Sequence, residues 1–203
     1  MDMDHENNYL RLCGALAGRP RYSHSSRGQD FYSFPLQIRR LSGNTDTVNV
    51  LLRQSQLAAL ETDEQEKLLV EGELRSFNNR RGEGARLVIT VFAQALSFSD
   101  EEDSNQVLLT GTLCKPPNLR STPMGRDICD LMLAVNRRYG RSDYLPCICW
   151  GQAAQEAARW AVGDRVRLCG RLQSRSYIKL TEDGPLEKTA FEVSVAEIAR
   201  VED

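Results

Sequence analysis

The sequence predicts an all-β fold of two tandem five-stranded barrels, each with one short helix. One observation is an internal repeat. The other is that apolar and polar residues alternate in each repeat as they do in short strands, before and after a single helical stretch. The offset between the repeats is 97 residues at first and 98 from Arg39 onward. Recurring pairs include Gly14 with Gly111, Leu16 with Leu113, Arg39 with Arg137, Arg40 with Arg138, Gly72 with Gly170, and Ser76 with Ser174. Because 203 residues suffice for two domains of roughly 100 residues, we infer that one small domain is duplicated.

The second repeat, which follows a polar segment, shows its elements clearly. Its predicted strands are 107–113, 128–135, 144–150, 165–173 with an extension over 175–179, and 190–195. They are bounded by proline, glycine and polar turns, and residues 165–173 alternate charged and apolar side chains as a half-buried strand does. The alanine-rich stretch 152–162 predicts a helix, since Gly163 follows it as a cap.

The first repeat follows the same order with weaker signals. Its predicted strands are 10–16, 31–41, 47–53, 67–76 and 87–95, and its predicted helix is 54–64. Five strands with a helix between the third and fourth are typical of a small, partly open barrel, the oligonucleotide-binding fold (OB-fold). We therefore expect OB-fold domains at 8–98 and 107–201, joined by an acidic, solvated linker at 99–106 that lacks apolar residues.

Composition narrows the classes of function. No stretch approaches the ~20 apolar residues of a membrane helix, and the polar, acidic start is unlike a secretory signal, so we expect a cytoplasmic protein. The six cysteines lie among apolar residues without a CxxC pair, which favours a reducing compartment and argues against a metal site. His5 and His24 have no nucleophile arranged around them, and a phosphate-binding glycine motif is missing. We therefore expect neither an enzyme nor a cofactor.

Charge is distributed unevenly along the chain. Residues 1–104 hold 12 basic and 16 acidic residues, a net −4, whereas residues 105–203 hold 14 and 12, a net +2. Of the 26 basic residues, 22 are arginine, whose planar guanidinium pairs with phosphate and also lies flat on a base. The second repeat is therefore the better candidate for binding a polyanion.

Four strings in the second repeat form a distinctive set: LLTGTLCKPPNLRSTPMG, LAVNRRYG, SDYLPCICWGQAA and GDRVRLCGRLQSRSY. They contain a Gly-x-Leu step at Gly111, an Arg-x-x-Pro-x-Gly turn at Arg120, and an aromatic residue plus glycine at Trp150. Through these features residues 107–200 resemble the bacterial single-stranded DNA-binding protein family over one whole domain. Residues 8–98 are then similar to a divergent copy of the same fold.

The resemblance implies where the stacking aromatics of that family fall. They are Tyr139 after the second strand, Tyr144 and Trp150 at the two ends of the third strand, and Tyr177 at the root of the last hairpin. Tyrosine stands at three of these positions where the family more usually has tryptophan, which weakens each stack without removing it. The candidate phosphate contacts are the basic residues Arg120, Arg137, Arg138, Arg141, Arg175 and Lys179.

Strand geometry supports part of this assignment independently. Tyr144 and Trp150 are six residues apart in one strand and so project from the same face, whereas Cys147 and Cys149 face the core. The alternative role for Trp150 is burial in the core or at a subunit interface. Since alternation turns about half of a strand's side chains inward, we expect core packing for most rings of the first repeat. These rings are Phe31, Tyr32, Phe34, Phe77 and Phe92.

The sequence thus favours a protein that coats single-stranded DNA with little sequence preference, in DNA replication, recombination or repair. The alternative is an OB-fold interaction or assembly module, such as a primosome-like or mobile-element accessory protein, with weak or no DNA binding. Members of the family commonly assemble four such domains, so the resemblance implies a homodimer of this chain. They also commonly end in a flexible segment with an acidic tip. Since this sequence ends at Asp203, just after the last strand, we expect no recruitment of partners by that route.

Overall fold

The structure, a computed structural model, describes residues 7–60, 67–79, 87–137, 140–181 and 184–201. Its contacts divide the chain into two compact units. The C-terminal unit comprises Val107–Asp203 together with Met1–Asn8 and Ser76–Ile89. The N-terminal unit comprises Tyr9–Arg75 and Thr90–Gln106.

Six strands build the sheet that belongs to the N-terminal unit. They are β1 (Asn8–Leu16), β2 (Arg21–Ser26), β3 (Gln29–Arg39), β4 (Thr45–Arg53), β5 (Lys67–Asn78) and β6 (Leu87–Phe98). Their order in the sheet is β2-β3-β4-β6-β5-β1, and a further pairing of β1 with β3 closes five of them into a barrel. Strands β4 and β6 pair in parallel.

The sheet of the C-terminal unit has the same plan. Its strands are β7 (Ser104–Leu113), β8 (Asn118–Ser121), β9 (Asp127–Asn136), β10 (Ser142–Trp150), β11 (Arg165–Thr181) and β12 (Gly184–Arg200). Their order is β7-β11-β12-β10-β9-β8, the pairing of β7 with β9 closes the barrel, and β10 and β12 pair in parallel. Helix α1 (Gln152–Ala157) lies between β10 and β11 and packs on β9 and β10. This is the OB-fold topology, and the predicted fold class is confirmed.

Several elements differ in extent from the prediction. The short strands β2 and β8 were not predicted, and they pair with β3 and β9 outside the closed barrels. Helix α1 ends at Ala157 rather than at residue 162, and the N-terminal unit has a 3-10 helix at Gln54–Leu60. Residues 61–64 of its predicted helix lie outside the described residues. Strands β11 and β12 form a hairpin of 17 residues in each arm, longer than predicted.

The change of offset between the repeats falls later than the sequence indicated. Arg40 and Arg137 begin the same turn, since each donates its backbone N–H to the carbonyl of the residue four positions later, at 2.7 and 2.6 Å. The offset therefore stays at 97 to the ends of β4 and β10, and the pairing of Arg39 with Arg137 is wrong. The extra residue is Gly151, which has a positive φ of 58° and precedes α1.

The acidic segment before β7 is held more tightly than a solvated linker. Strand β7 begins at Ser104, and two acids of the segment bind cations. Glu101 lies 2.7 Å from Arg11, and Asp103 lies 2.8 Å from Lys67. Burial raises the pKa of Asp103, but hydrogen bonds from the Lys67 ammonium and one backbone N–H outweigh it, and the net shift of this pKa is downward.

Glycines at equivalent positions of the two barrels allow a close approach of main chains. A Cβ added at Gly72 would lie 2.1 Å from the Phe92 carbonyl oxygen, and one added at Gly170 would lie 2.3 Å from that of Ser194. No side chain fits at such distances, which explains why this glycine recurs in both repeats. No helix within the described part of the chain is long and apolar enough to span a membrane.

We expect Gly170→Ala to lower the free energy of unfolding by about 3 kcal/mol, because the added methyl group overlaps a main-chain oxygen that cannot rotate away. Gly125→Ala is the matched control: its φ is 75° with open space around it, and it should cost only about 1 kcal/mol. Urea unfolding followed by circular dichroism measures both, and equal losses would contradict the close approach.

Candidate nucleic-acid interface

Strand β10 carries two of the predicted stacking residues on its outer face. Tyr144 is 49% exposed, and Trp150 is half-buried at the end of the strand. Leu145, Cys147 and Cys149 alternate with them and are buried in the barrel. The side chains of β10 therefore divide between the two faces as the sequence predicts.

The indole of Trp150 is in contact with a cation. The guanidinium of Arg126 lies 5.4 Å from the ring centroid, a cation–π distance. Arg126 was not predicted. It stands two residues before Ile128, which pairs with Trp150 in the ladder of β9 and β10, and this pairing brings Arg126 close to the indole. Since Trp150 is half-buried and bears a cation, it lies at the surface of this unit rather than in its core.

The β11–β12 hairpin carries the third predicted ring. Tyr177 is 36% exposed and lies opposite Lys188 in the ladder, and Arg175 lies two positions before it. Because side chains alternate along a strand, Arg175 and Tyr177 share one face of the hairpin. Lys179 also belongs to β11, but its side chain lies outside the described part of the structure.

A groove of about 320 Å³ brings two predicted phosphate contacts together. Its lining includes Lys115, Arg120 and Arg175, which are balanced by Asp130 and Glu192. Arg120 Nε lies 2.6 Å from Asp130, and Arg175 Nε lies 3.8 Å from Glu192. The Arg120–Asp130 pair is partly exposed and contributes little to stability, so Arg120 can exchange this carboxylate for a phosphate at small cost. Glu192 is buried, and it also accepts a hydrogen bond from Gln173 Nε2 at 3.0 Å. Lys115 was not predicted, although its place beside the Pro-Pro loop was a signal.

Arg137 is bound within the protein by a buried carboxylate and a backbone carbonyl, and its role as a phosphate contact stays a prediction. Its Nε donates to Asp143 at 2.6 Å, and its Nη2 donates both to this carboxylate and, at 3.1 Å, to the Ser76 carbonyl. Asp143 is fully buried and also accepts the Ser76 backbone N–H at 2.6 Å. The Ser76 hydroxyl in turn accepts the backbone N–H of Tyr144 at 2.7 Å. This network positions the start of β10, and with it Tyr144.

The same ion pair occurs in the N-terminal unit. Arg40 Nε lies 2.5 Å from Asp46, which is fully buried like Asp143. The two repeats differ at the predicted stacking positions, yet both keep this pair. We therefore assign the Arg137–Asp143 pair to the architecture of the fold.

The remaining predicted residues lie between β9 and β10 in the sequence. Arg138 and Tyr139 are outside the described residues. Arg141 is described and exposed, directly before β10.

The two cysteines of β10 are free thiols on the inner face of the barrel. Burial raises the pKa of both, that of Cys149 to about 12. Thiolate is the reactive form of cysteine, so both groups act as small core side chains.

Two OB-fold barrels, one of them with an aromatic outer face beside a basic groove, define the class: a tandem OB-fold protein with a candidate nucleic-acid interface. Residues 104–201 match a sequence model of the single-strand binding protein family. The chain is 39% identical to single-stranded DNA-binding protein B of Bacillus subtilis (strain 168) over 80 residues. This stretch covers 36% of this chain and 71% of that protein. It is also 36% identical over 80 residues to the single-stranded DNA-binding protein of Clostridium tetani, of which it spans 55%.

The comparison with solved structures covers nearly the whole chain. Wild-type single-stranded DNA-binding protein from Thermus aquaticus superposes with a TM-score of 0.78 at 24% identity, over 97% of this chain and 93% of that one. A deletion mutant of the same protein gives a TM-score of 0.77 at 25% identity, over 97% and 95%. The chain belongs to the single-strand binding protein family.

We expect Asp143→Asn to lower the free energy of unfolding by about 3 kcal/mol, since it leaves the Arg137 guanidinium without its buried counter-charge. Asp130→Asn is the control, because the Arg120–Asp130 pair is partly exposed and its loss should cost about 1 kcal/mol or less. Denaturant unfolding compares the two variants. Similar costs would show that the Asp143 pair is not part of the architecture.

We also expect Cys149 to resist alkylation in the folded protein. At pH 8 a thiol with a pKa near 9 is about 10% thiolate, whereas one with a pKa of about 12 is only about 0.01% thiolate. Its labelling rate should rise about tenfold per pH unit while the fold persists. Iodoacetamide labelling read by mass spectrometry, with urea-unfolded protein as reference, measures this. Labelling at the unfolded rate would refute the buried position.

Proposed function

We propose that this protein binds single-stranded DNA with little sequence preference through the outer face of its C-terminal unit. The observation that carries the proposal is that this unit has both accessible aromatic rings and a groove that contains cations. Exposed Tyr144, half-buried Trp150 and exposed Tyr177 supply ring surface, and the groove beside them contains Arg120 and Arg175. The relatives named above are single-stranded DNA-binding proteins, which supports this assignment.

Stacking and charge contribute in different ways to the proposed binding. Bases have π-faces whatever their identity, so rings that stack on them bind with little sequence preference. Each stacked base is worth ~1–3 kcal/mol, so three or four stacks supply ~4–10 kcal/mol before entropy costs. The basic residues neutralise phosphates along the groove. The proposed contacts are Arg120, Arg137, Arg138, Arg141, Arg175 and Lys179.

The proposal extends to organisation and cellular role. We propose that the chain forms two domains, at 8–98 and 107–201, and that two chains associate so that one assembly holds four OB-folds. We further propose that the protein acts in DNA replication, recombination or repair in the cytoplasm, without a catalytic step. A molar mass from light scattering, twice that of the 22.9 kDa chain, is the expected result for the homodimer.

We expect oligo(dT) to quench the tryptophan fluorescence of this protein, while duplex DNA of equal length does not. Trp150 and Trp160 are the two tryptophans, and Trp150 lies in the proposed interface. With about five phosphate contacts, log K should fall against log salt with a slope near −3.5. A lack of quenching at low salt would refute DNA binding and would favour the interaction module.

Tyr144→Ala combined with Tyr177→Ala should weaken oligo(dT) binding by roughly 30-fold to 10⁴-fold, because two stacking surfaces worth ~1–3 kcal/mol each are lost. The matched control is Tyr144→Phe with Tyr177→Phe, which keeps both rings and should bind within about threefold of the wild type. Fluorescence anisotropy of a labelled oligonucleotide measures all three proteins. If the alanine variant binds as tightly as the phenylalanine variant, the rings do not stack on bases.

A further inference from the structure

Arg126 is an exposed residue in the turn between β8 and β9, and its guanidinium is held by a ring rather than by an acid. Within the part of the chain that the structure describes, no carboxylate forms an ion pair with it. Other arginines of the proposed site have such partners: Arg120 Nε lies 2.6 Å from Asp130, and Arg137 Nε lies 2.6 Å from Asp143. The charge of Arg126 is therefore available to a ligand.

Thr122 fixes the backbone of this turn. Its N–H donates to the Arg126 carbonyl at 2.8 Å, and its Oγ1 accepts the Arg126 N–H at 3.0 Å. The Gly125 N–H donates to the Thr122 carbonyl at 2.8 Å, and Gly125 has a φ of 75°, which glycine adopts without strain. These hydrogen bonds determine the direction in which the Arg126 side chain leaves the turn.

The backbone on both sides of the Trp150 indole is tied to the strand that Arg126 precedes. Trp150 lies opposite Ile128 in the ladder, and the Gly151 N–H donates to the Asp127 carbonyl at 2.9 Å. Because both backbones are held, the guanidinium is brought over the indole, 5.4 Å from the ring centroid. The contact between cation and ring is therefore built into the fold.

The acid next to Arg126 in the sequence has donors of its own. The Asp127 carboxylate accepts the Gln155 amide N–H at 2.7 Å and the Ser121 hydroxyl at 3.0 Å. These two hydrogen bonds lower the pKa of Asp127 below its ordinary value. Since neutral groups satisfy this carboxylate, Arg126 keeps its contact with the indole.

A guanidinium that lies over a ring keeps its N–H edge for another ligand. The ring contact uses the flat face of the group, whereas its five donors lie in the plane. A phosphate presents two oxygens to such an edge and binds it in a bidentate manner. The ring also restricts the rotamers of the arginine before binding, so less side-chain freedom is lost when the phosphate arrives. Trp150 thus preorganises Arg126 for an anion.

The pair belongs to the second repeat and not to the first. At an offset of 97, Arg126 and Trp150 correspond to Gln29 and Arg53. The first repeat therefore has neither the ring nor the cation at these positions. The pair lies in the half of the chain whose net charge is +2 (residues 105–203).

We propose that Arg126 binds a phosphate of single-stranded DNA and that Trp150 is its positioning residue. The inference rests on the proposed function, because it assigns roles within the same interface. It gives Trp150 a different task from the stacking that the family resemblance implies. One face of the indole holds a cation, which leaves at most the other face for a base.

The first test measures the salt dependence of binding by the full chain to oligo(dT) of about 10 nucleotides, near the site size of one OB-fold. For a single strand, each phosphate contact contributes about 0.7 to the slope of log K against log salt. Arg126→Gln should therefore make the slope shallower by about 0.7 and weaken binding at low salt by about three- to tenfold. Arg126→Lys, which keeps the charge, should retain the wild-type slope.

The matched control is Arg167→Gln, which removes the same charge from an exposed residue of β11 that lies opposite Thr110. It should leave the slope unchanged, since Arg167 is not part of the proposed interface. If Arg126→Gln has the slope and the affinity of Arg167→Gln, the phosphate contact is refuted while the proposed function stands. If the wild-type chain does not bind oligo(dT), the proposed function fails, and this inference fails with it.

The second test is a double-mutant cycle between Arg126 and Trp150. Trp150→Leu removes the flat ring and keeps an apolar side chain on β10. Arg126→Gln should then cost less than about twofold in the Trp150→Leu background, against about three- to tenfold in the wild type. Circular dichroism melting checks that each variant is folded, and Trp150→Met, whose flexible side chain adapts to its neighbours, replaces Trp150→Leu if the latter is unfolded. Equal costs of Arg126→Gln in both backgrounds would overturn the positioning role of Trp150.

Discussion

In each unit the first strand pairs on both of its edges, β1 with β5 and β3, and β7 with β11 and β9. This double pairing closes the sheet, so that every strand residue faces either the packed interior or the outside. The interior is filled by aliphatic side chains such as Val48, Val50 and Leu52 on β4. Since the interior holds the fold together, side chains at outer positions that no other element covers can change without loss of the barrel.

A buried ion pair is the second constraint common to both units. Asp46 and Asp143 lie at the start of the third barrel strand, at no exposure, each bound by the arginine six residues before it. A carboxylate buried in this way must keep its partner, because removal of one charge leaves the other uncompensated. The pair fixes the turn that leads into β10, and the backbone N–H of Tyr144 is held by the adjoining Ser76 hydroxyl. The exposed ring of Tyr144 is therefore positioned by hydrogen bonds of its own backbone and of the residues around the buried Asp143.

The alternation of apolar and polar residues and the positions of glycine and proline turns were enough to predict the barrel, the order of its five strands and helix along the chain, and the two faces of β10. The role of Arg137 was not accessible in this way. A basic residue in an Arg-rich turn has the same local pattern whether it binds a phosphate or a buried carboxylate, and Asp143 is identified as its partner only by the hairpin register. The expectation that most rings of the first repeat pack in the core was wrong for a related reason. Half of the side chains of any strand face outward. Phe34 on β3 and Val91 on β6 face the core, so Phe31 and Phe92 lie on the outer faces of these strands and are half-buried.

The outer faces of the two barrels differ in how their rings are arranged along or across the strands, as well as in the residues that they carry. In the C-terminal unit Tyr144 and Trp150 lie on one face of β10, six residues and so about 20 Å apart along the strand. In the N-terminal unit His24 on β2 and Phe31 on β3 lie opposite each other on neighbouring strands, which are about 4.8 Å apart, and their rings stack directly. Rings spaced along a strand leave room for bases between them, whereas rings in contact across strands form a closed stack that a base can extend only at its open end. Duplication of one barrel has therefore produced two outer faces that carry exposed rings in different geometries.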